Sequence, residues 1–467
     1  MKLKKFFGDG MFWKGALQLA LPISLQNILI SSFALVDTIM VGALGGTALA
    51  AVGMAGQWSF LLNLVLFGFN SGASVFIAQY WGVKDEANIR KSFGLATLSA
   101  IAASTLFMAV GLTAPYFVIG FFTQDAVTIE LGVSYLRIAA FSYLAIGLNN
   151  LLATLLRSTE DARLPLYASA VSVAANAAFN ALFIYGMEMG VRGAALATAI
   201  SSWISPVLLF ILSMRKKNIL FAPVKSFFGW KKEFVLKYFA ISIPVLLNET
   251  MWALGTVLYK AIFSNASSEF YAAYTVFSSI EGLAFAFFVG LCHASAVMVG
   301  KKVGAGEFDE AYLYGCRFSF SMPILSLFVG LILILVRPIV LMPFANVGEE
   351  TLRTASTIIL IYSLEIALRN IPYITIVGAF RSGGDTKIGL LYDLSCLWGV
   401  ALPVTWIGAN VLHMPLTMVF LMMLLCEDLV KGMLCIRRLL SRKWIRPVTD
   451  ESARQKAGAA EADGPAV

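Results

Sequence analysis

Between residues 15 and 83 only one side chain carries charge, that of Asp37. It lies in 22–41, PISLQNILISSFALVDTIMV, a stretch long enough to cross a bilayer. A carboxylate at that depth costs about 2.5–3.5 kcal/mol even on the mildest insertion scale, so such acids face polar cavities and serve transport. Further polar side chains accompany it. Asn176 and Asn180 stand four apart and project from one helix face. Asn150 lies one span earlier and Thr198 one span later, in GVRGAALATAIS. A carboxylate with amide and hydroxyl oxygens suits a hard cation such as Na⁺. The same acid can instead take up a proton, and the asparagines can simply hydrogen-bond between helices.

The second half of the chain has its own acid, Glu249, five residues past Pro244. Two readings stand for it: contact with a cationic substrate or second cation, or a buried structural ion pair. Glu281 lies in the next apolar segment. Glu365 and Arg369, four apart, read as a pair that neutralises itself on one helix face. Arg137, Lys260 and Arg337 are expected to snorkel to an interface.

The elements that must position these groups are membrane spans. Of 467 residues, 59% are hydrophobic and 13% charged, with a mean hydropathy of +0.80. A soluble domain carries nearer a quarter charged. Twelve long apolar runs are predicted, near 14–41, 47–81, 93–122, 127–157, 163–186, 191–214, 234–264, 268–300, 312–343, 350–381, 387–411 and 414–440. They are continuous rather than alternating, which predicts helices and an all-α polytopic membrane protein.

The net charge of +8 follows topology and does not indicate nucleic acid. Alternate connections collect cations: Lys2, Lys4 and Lys5; Lys84, Arg90 and Lys91; Arg157 and Arg163; Arg215, Lys216 and Lys217; Lys301 and Lys302; Arg381 and Lys387; Arg437 and Arg438. Positive loops stay inside, so both termini are expected in the cytoplasm and the basic, apolar N-terminus is an uncleaved first span. Five cysteines (Cys292, Cys316, Cys396, Cys426, Cys435) show no C-x-x-C spacing, and His293 and His413 are the only histidines. No metal centre, disulfide framework or catalytic constellation is indicated, so no enzyme and no cofactor are expected beyond a coupling Na⁺ or H⁺.

The chain repeats itself. RSTEDAR at 157–163 returns as RSGGDTK at 381–387, an offset of 224; Pro22 and Pro244, Gly68 and Gly290, and Gly82 and Gly304 are each 222 apart. This predicts two pseudo-symmetric six-helix bundles, 1–215 and 234–446, with a basic cytoplasmic linker at 216–233 and a disordered tail at 447–467. Six spans per repeat make it a parallel repeat about an axis along the membrane normal, a geometry suited to alternating access. Pro22 and Pro244 are candidate kinks. At the same offsets Asp37 maps to Tyr259, Asn150 to Ile374, Asn176 to Val400 and Asn180 to Val404, so the polar cluster belongs to the first half alone. Glu249 corresponds to Asn27.

These residues resemble bacterial members of the multidrug and toxic compound extrusion (MATE) family. The similarity lies in LPISLQNILISSFALVDTIMVGALG, Glu249, NAAFNALFIYGMEMGVRGAALAT and the two RS-x-x-D elements, and covers about 14–440. The resemblance implies two six-helix lobes forming a V and export of amphipathic, often cationic compounds against inward Na⁺ or H⁺. It implies an N-lobe coupling site at Asp37, Asn150, Asn176, Asn180 and Thr198, with Glu249 as the C-lobe acid. Some members of the NorM branch carry a further acid in span ten. The position here is Asn370, so a C-lobe substrate or second cation site of Glu249 and Asn370 lacks that carboxylate. The expected setting is the bacterial inner membrane, as a monomer in the lipid bilayer. Competing readings are a flippase for lipid-linked oligosaccharides, a membrane enzyme around His293, and a channel.

Overall fold

The computed structural model describes residues 8–449, apart from the side chains of 33–35 and 345–347. Twelve helical spans follow one another. They are α1 Gly10–Gly42, α2 Gly46–Gly82, α3 Glu86–Thr113, α4 (Ala126–Ala139 and Ser142–Ser158), α5 Arg163–Gly186 and α6 Gly190–Arg215. Then come α7 Lys232–Ala266, α8 Ser268–Gly304, α9 Phe308–Leu341, α10 Glu349–Phe380, α11 Thr386–Asn410 and α12 Leu416–Leu440. Among the described residues there is no strand, only an isolated bridge between Gly384 and Ile445. Among the described residues, ten helices are long and apolar enough to cross a membrane, and α4 joins them if its two parts, bent by 51°, form one span. The Ser142 hydroxyl donates back to the Ala139 carbonyl at that bend. Glu427, Asp428 and Lys431 give α12 too many charges for the same test.

Packing groups the chain into two compact units, Leu25–Leu246 and Met1–Ser24 with Leu247–Val467. The division into 1–215 and 234–446 is one of chain order; by packing, α1 and α7 are each shared. Each helix divides two residues beyond its proline, Pro22 or Pro244.

The glycine pair noticed in the repeat has its physical reason here. A Cβ on Gly68 of α2 would stand 2.6 Å from Leu246 of α7, and one on Gly290 of α8 would stand 2.1 Å from Ser24 Oγ of α1. Ser24 and Leu246 are themselves 222 apart. In each unit, then, a bare backbone on the second helix accepts the first part of the other repeat's first helix. The Ser24 hydroxyl also donates to the Phe287 carbonyl in the same crossing.

The basic linker is docked in the first unit. The Arg90 guanidinium donates to the Ile219 carbonyl and the Trp230 indole to the Lys91 carbonyl, while Gly94 leaves room for the Phe227 carbonyl. In the second unit the chain after α12 folds back: Trp444 is fully buried against Gly383 and Gly315, and the Arg446 amide donates to Gly383 O. Asp385, of the second RS-x-x-D element, accepts from Arg438 at 2.6 Å and pairs with Arg446 at 3.0 Å. Val448 and Thr449 are buried by this fold-back, so the start of the tail expected to be disordered is packed. The remaining 450–467 lie outside the described residues.

Substituting Gly290 or Gly68 by Leu should lower the detergent melting temperature sharply, because backbone must move to admit the side chain. Gly56→Leu, where nothing lies within 4 Å, should leave it unchanged. Equal melting of all three would contradict the close helix approach.

Candidate functional site

In the first unit, Asp37 projects from α1 toward α5. The Asn180 amide donates to Asp37 Oδ1 at 2.6 Å and to Asn176 Oδ1 at 2.9 Å. The Asn176 amide in turn donates to Ser201 Oγ on α6 at 2.7 Å. The four-residue spacing thus does what a helix face allows, linking two amides in one row. Past Asn180 the backbone changes to a π turn over Ala181–Gly186, a local rewinding frequently found at functional positions. Asn180 is fully buried, and its Oδ1 has no hydrogen-bond partner. An amide oxygen in that state, beside a carboxylate that receives one neutral donor, is a pair of hard acceptors open to a cation or proton.

The other two residues of the expected cluster are placed differently. The Thr198 carbonyl on α6 accepts from Ser202 Oγ at 2.6 Å and from Ser201 Oγ, the end of the row, at 3.4 Å. Asn150 donates to Asn63 Oδ1 of α2 at 3.2 Å. The neighbouring Asn149 accepts from Ser205 at 2.6 Å, a polar contact the sequence reading did not single out. Asp37, Asn176 and Asn180 therefore form one chain, Thr198 borders it, and Asn150 belongs to a second polar contact.

The second unit holds a larger charged network. Glu249 Oε1 pairs with Arg381 at 2.6 Å, and the same guanidinium nitrogen donates to Asn248 Oδ1 at 2.7 Å. The Asn248 amide donates to Asp393 of α11. Asp393 pairs with Lys431 of α12 at 2.8 Å, and Lys431 pairs with Glu427 at 2.9 Å. Tyr259, the counterpart of Asp37, donates to Glu427 Oε2 at 3.1 Å. Asn370 is buried and donates to Ser326 at 2.8 Å, whereas Glu249 pairs with Arg381.

Two sequence expectations are corrected. Arg157 and Arg381 were counted among loop cations, but both turn inward. Arg157 donates to Gln26 at 2.6 Å, and Arg381, nearly fully buried, meets Asn248. Gln26 and Asn248 are again 222 apart, so the repeat reproduces an arginine–amide contact. Secondly, Arg369 does not neutralise Glu365; it pairs with Glu281 of α8 at 3.1 Å and lies 3.8 Å from Asp428. A short helical spacing permits a contact, but the neighbouring helix offered a better-placed acid. Asp393, Glu427, Asp428 and Lys431 were missed. The signal was present, since YDLSC and CEDLVKG carry charges inside apolar spans just as Asp37 does.

A family model for MatE matches residues 22–182 and 244–407. The chain belongs to the MATE family. The two matched blocks are the two repeats, which accounts for the common offset. Among curated relatives, the probable multidrug resistance protein YoeA of Bacillus subtilis is 25% identical over 85% of this chain and 86% of its own. The probable multidrug resistance protein NorM of Thermotoga maritima is 23% identical over 92% of this chain and 93% of its own. Among solved structures, a MOP superfamily transporter from Pyrococcus furiosus superposes with a TM-score of 0.83 at 19% identity, covering 95% of this chain and 99% of that one. With its apolar helices, the MATE chain is a multi-pass membrane protein.

Within this MATE protein, Lys431→Met should destabilise strongly, because Asp393 and Glu427 would be left buried without their cation. Breaking a buried pair costs about 3–5 kcal/mol. Arg442→Ala, which opens the exposed pair with Asp309, should leave the melting temperature in detergent unchanged. If the two variants melt alike, the buried network does not hold the second unit together.

Proposed function

We propose that this protein is a secondary antiporter, not an enzyme, that exports amphipathic, often cationic compounds in exchange for Na⁺ or H⁺ by alternating access. The observation that carries this reading is Asp37. Its carboxylate receives a neutral amide, and among the described residues no cationic side chain pairs with it and no donor reaches the buried Asn180 oxygen beside it. A membrane-embedded acid without a fixed counter-charge needs a mobile one. That mobile charge is the coupling ion, with Asn176 and Asn180 holding the acid in place and Thr198 at its border. The two relatives named as probable multidrug resistance proteins support the same export reading. By the positive-inside rule, the same proposal puts both termini in the cytoplasm of a bacterial cell and the protein in its inner membrane.

The deciding experiment is transport of a fluorescent cation in proteoliposomes, with Na⁺ and pH gradients imposed separately. Asp37→Asn should abolish gradient-driven export while the protein still inserts and melts normally. Full export by that variant under either gradient would remove Asp37 from the coupling role.

Asn180→Ala and Asn176→Ala should weaken dependence on the ion gradient more than equilibrium binding of the exported cation. A loss of binding affinity with unchanged ion dependence would move the amide row to the substrate site.

A further inference from the structure

The first unit has an open cleft of about 720 Å³ at the end of its helices away from the basic connections. Three stretches wall it: the short helix Pro115–Gly120, the first part of α4, and the turn from α5 into α6. Glu130 and Arg137, seven residues apart on one face of α4, line it with Tyr116, Glu188 and Arg192. Among the described residues, neither acid pairs with either arginine. Two turns of helix put about 10 Å of rise between Glu130 and Arg137. Tyr116 stands between them: its hydroxyl donates to Glu130 at 3.1 Å, and the Arg137 guanidinium carbon lies 5.7 Å from the centre of its ring. Glu188 is held at φ 51°, in the left-handed region that favours glycine. Its turn is closed by the Met187 amide on the Leu182 carbonyl at 2.8 Å and the Met189 amide on the Phe183 carbonyl at 2.9 Å. A strained turn that brings an unpaired acid to a cleft points to a use for that acid.

The charges are ordered along the helices. α4 starts at Ala126, so Glu130 lies outward of Arg137; α6 starts at Gly190, so Glu188, before the helix, lies outward of Arg192. On both walls the acid is outermost and the arginine deeper. A phospholipid with an amine headgroup has the matching order: ammonium outermost, phosphate deeper, acyl chains deepest. Guanidinium is the side chain best matched to phosphate. α6 also opens without a side-chain cap, Met189 holding that position, so its first amides are available to an anion as well. The N–H groups of an ammonium can donate to the two carboxylates. Phe117 and Phe121, on and just past the short helix, and Leu182, in the π turn before Glu188, are exposed. They offer the apolar surface that acyl chains need at interface depth.

We propose that this cleft seats the headgroup of a phosphatidylethanolamine-type phospholipid, with its phosphate on Arg137 and Arg192 and its ammonium on Glu130 and Glu188. The pattern of charges chooses among lipids. A phosphatidylglycerol headgroup brings a phosphate to the arginines but leaves both acids without a cation. A phosphatidylcholine headgroup has no N–H for those acids, and the Tyr116 ring that a quaternary ammonium would seek already carries Arg137. On the orientation proposed above, the lipid belongs to the outer leaflet. The binding itself depends only on α4 and α6 crossing the bilayer, and not on what the protein exports.

Native mass spectrometry of the detergent-solubilised full chain, with dioleoyl phosphatidylethanolamine, phosphatidylglycerol and phosphatidylcholine added in equal amounts, tests the site. Wild type should retain phosphatidylethanolamine in preference to the other two. Glu130→Gln with Glu188→Gln should reverse that order in favour of phosphatidylglycerol, because the arginines remain and the repelling acids are gone. Arg137→Gln with Arg192→Gln should lose preferential retention altogether. All four side chains belong to exposed residues, so both double variants should melt like wild type without added lipid. If the arginine variant nevertheless fails to fold, the reversal in the acid variant decides. Equal retention of the three lipids by wild type, or a phosphatidylethanolamine preference unchanged in the acid variant, overturns the proposal. Displacement of the lipid by an equal concentration of phosphoethanolamine or inorganic phosphate overturns the lipid and makes a soluble phosphate compound the ligand.

Discussion

Hydrocarbon supplies no water to a charge, and that constraint organises this protein. Every acid placed at membrane depth has to find its donors or counter-charges among its own helices. The first unit meets the demand sparingly, with one acid, a row of amides and a serine. The second meets it with an extended series of ion pairs running from α7 through the end of α10 to α11 and α12. The helices are ordinary in their apolar surfaces; what distinguishes them is where each lets a polar group in.

Repetition explains the frame and not the chemistry. The duplicated sequence reproduces a proline near the start of α1 and α7, a glycine that admits a crossing helix, and an arginine donating to an amide. These are contacts between backbones and rigid helices, where a change in one copy breaks the packing of that copy. Polar side chains within each bundle are under no such tie. Asp37 in one copy is Tyr259 in the other, and the acid that Tyr259 meets, Glu427, comes from α12. An identical frame can therefore carry a lone carboxylate in one unit and a neutralised network in the next.

Spans and repeat were legible because they rest on local hydropathy and on spacing along the chain. The Asp37–Asn180–Asn176 row was legible for the same reason, since a four-residue interval defines a helix face without reference to other helices. Asn150 was not, because its partner Asn63 lies in a span that carries no charge to draw attention to it. Arg157 and Arg381 sit at span ends, where charge counting assigns them to loops, yet a long side chain can turn inward as readily as outward. For Glu365 and Arg369 the spacing was right and the partner wrong: which acid an arginine chooses depends on α8 and α12, and no interval within α10 encodes their positions. Charges in α11 and α12 escaped because a window average of hydropathy absorbs several of them.

The distinction between fixed and mobile counter-charge separates the two acids that sequence reasoning placed side by side. Glu249 has Arg381 at 2.6 Å, a cation covalently part of the protein, which cannot be exchanged with solution and so cannot couple anything to a gradient while it stays there. Asp37 has a neutral amide at the same distance. Asparagine orients a carboxylate and stabilises it in part, but leaves its charge whole, so a cation arriving from water gains most of the electrostatic energy that a low-dielectric site can offer. The strength of that gain also limits it, since an ion held too firmly would not be released. Donation from Asn180 lowers the acid's appetite for a cation without abolishing it, as the proposed coupling role of Asp37 would require of a site that loads and unloads.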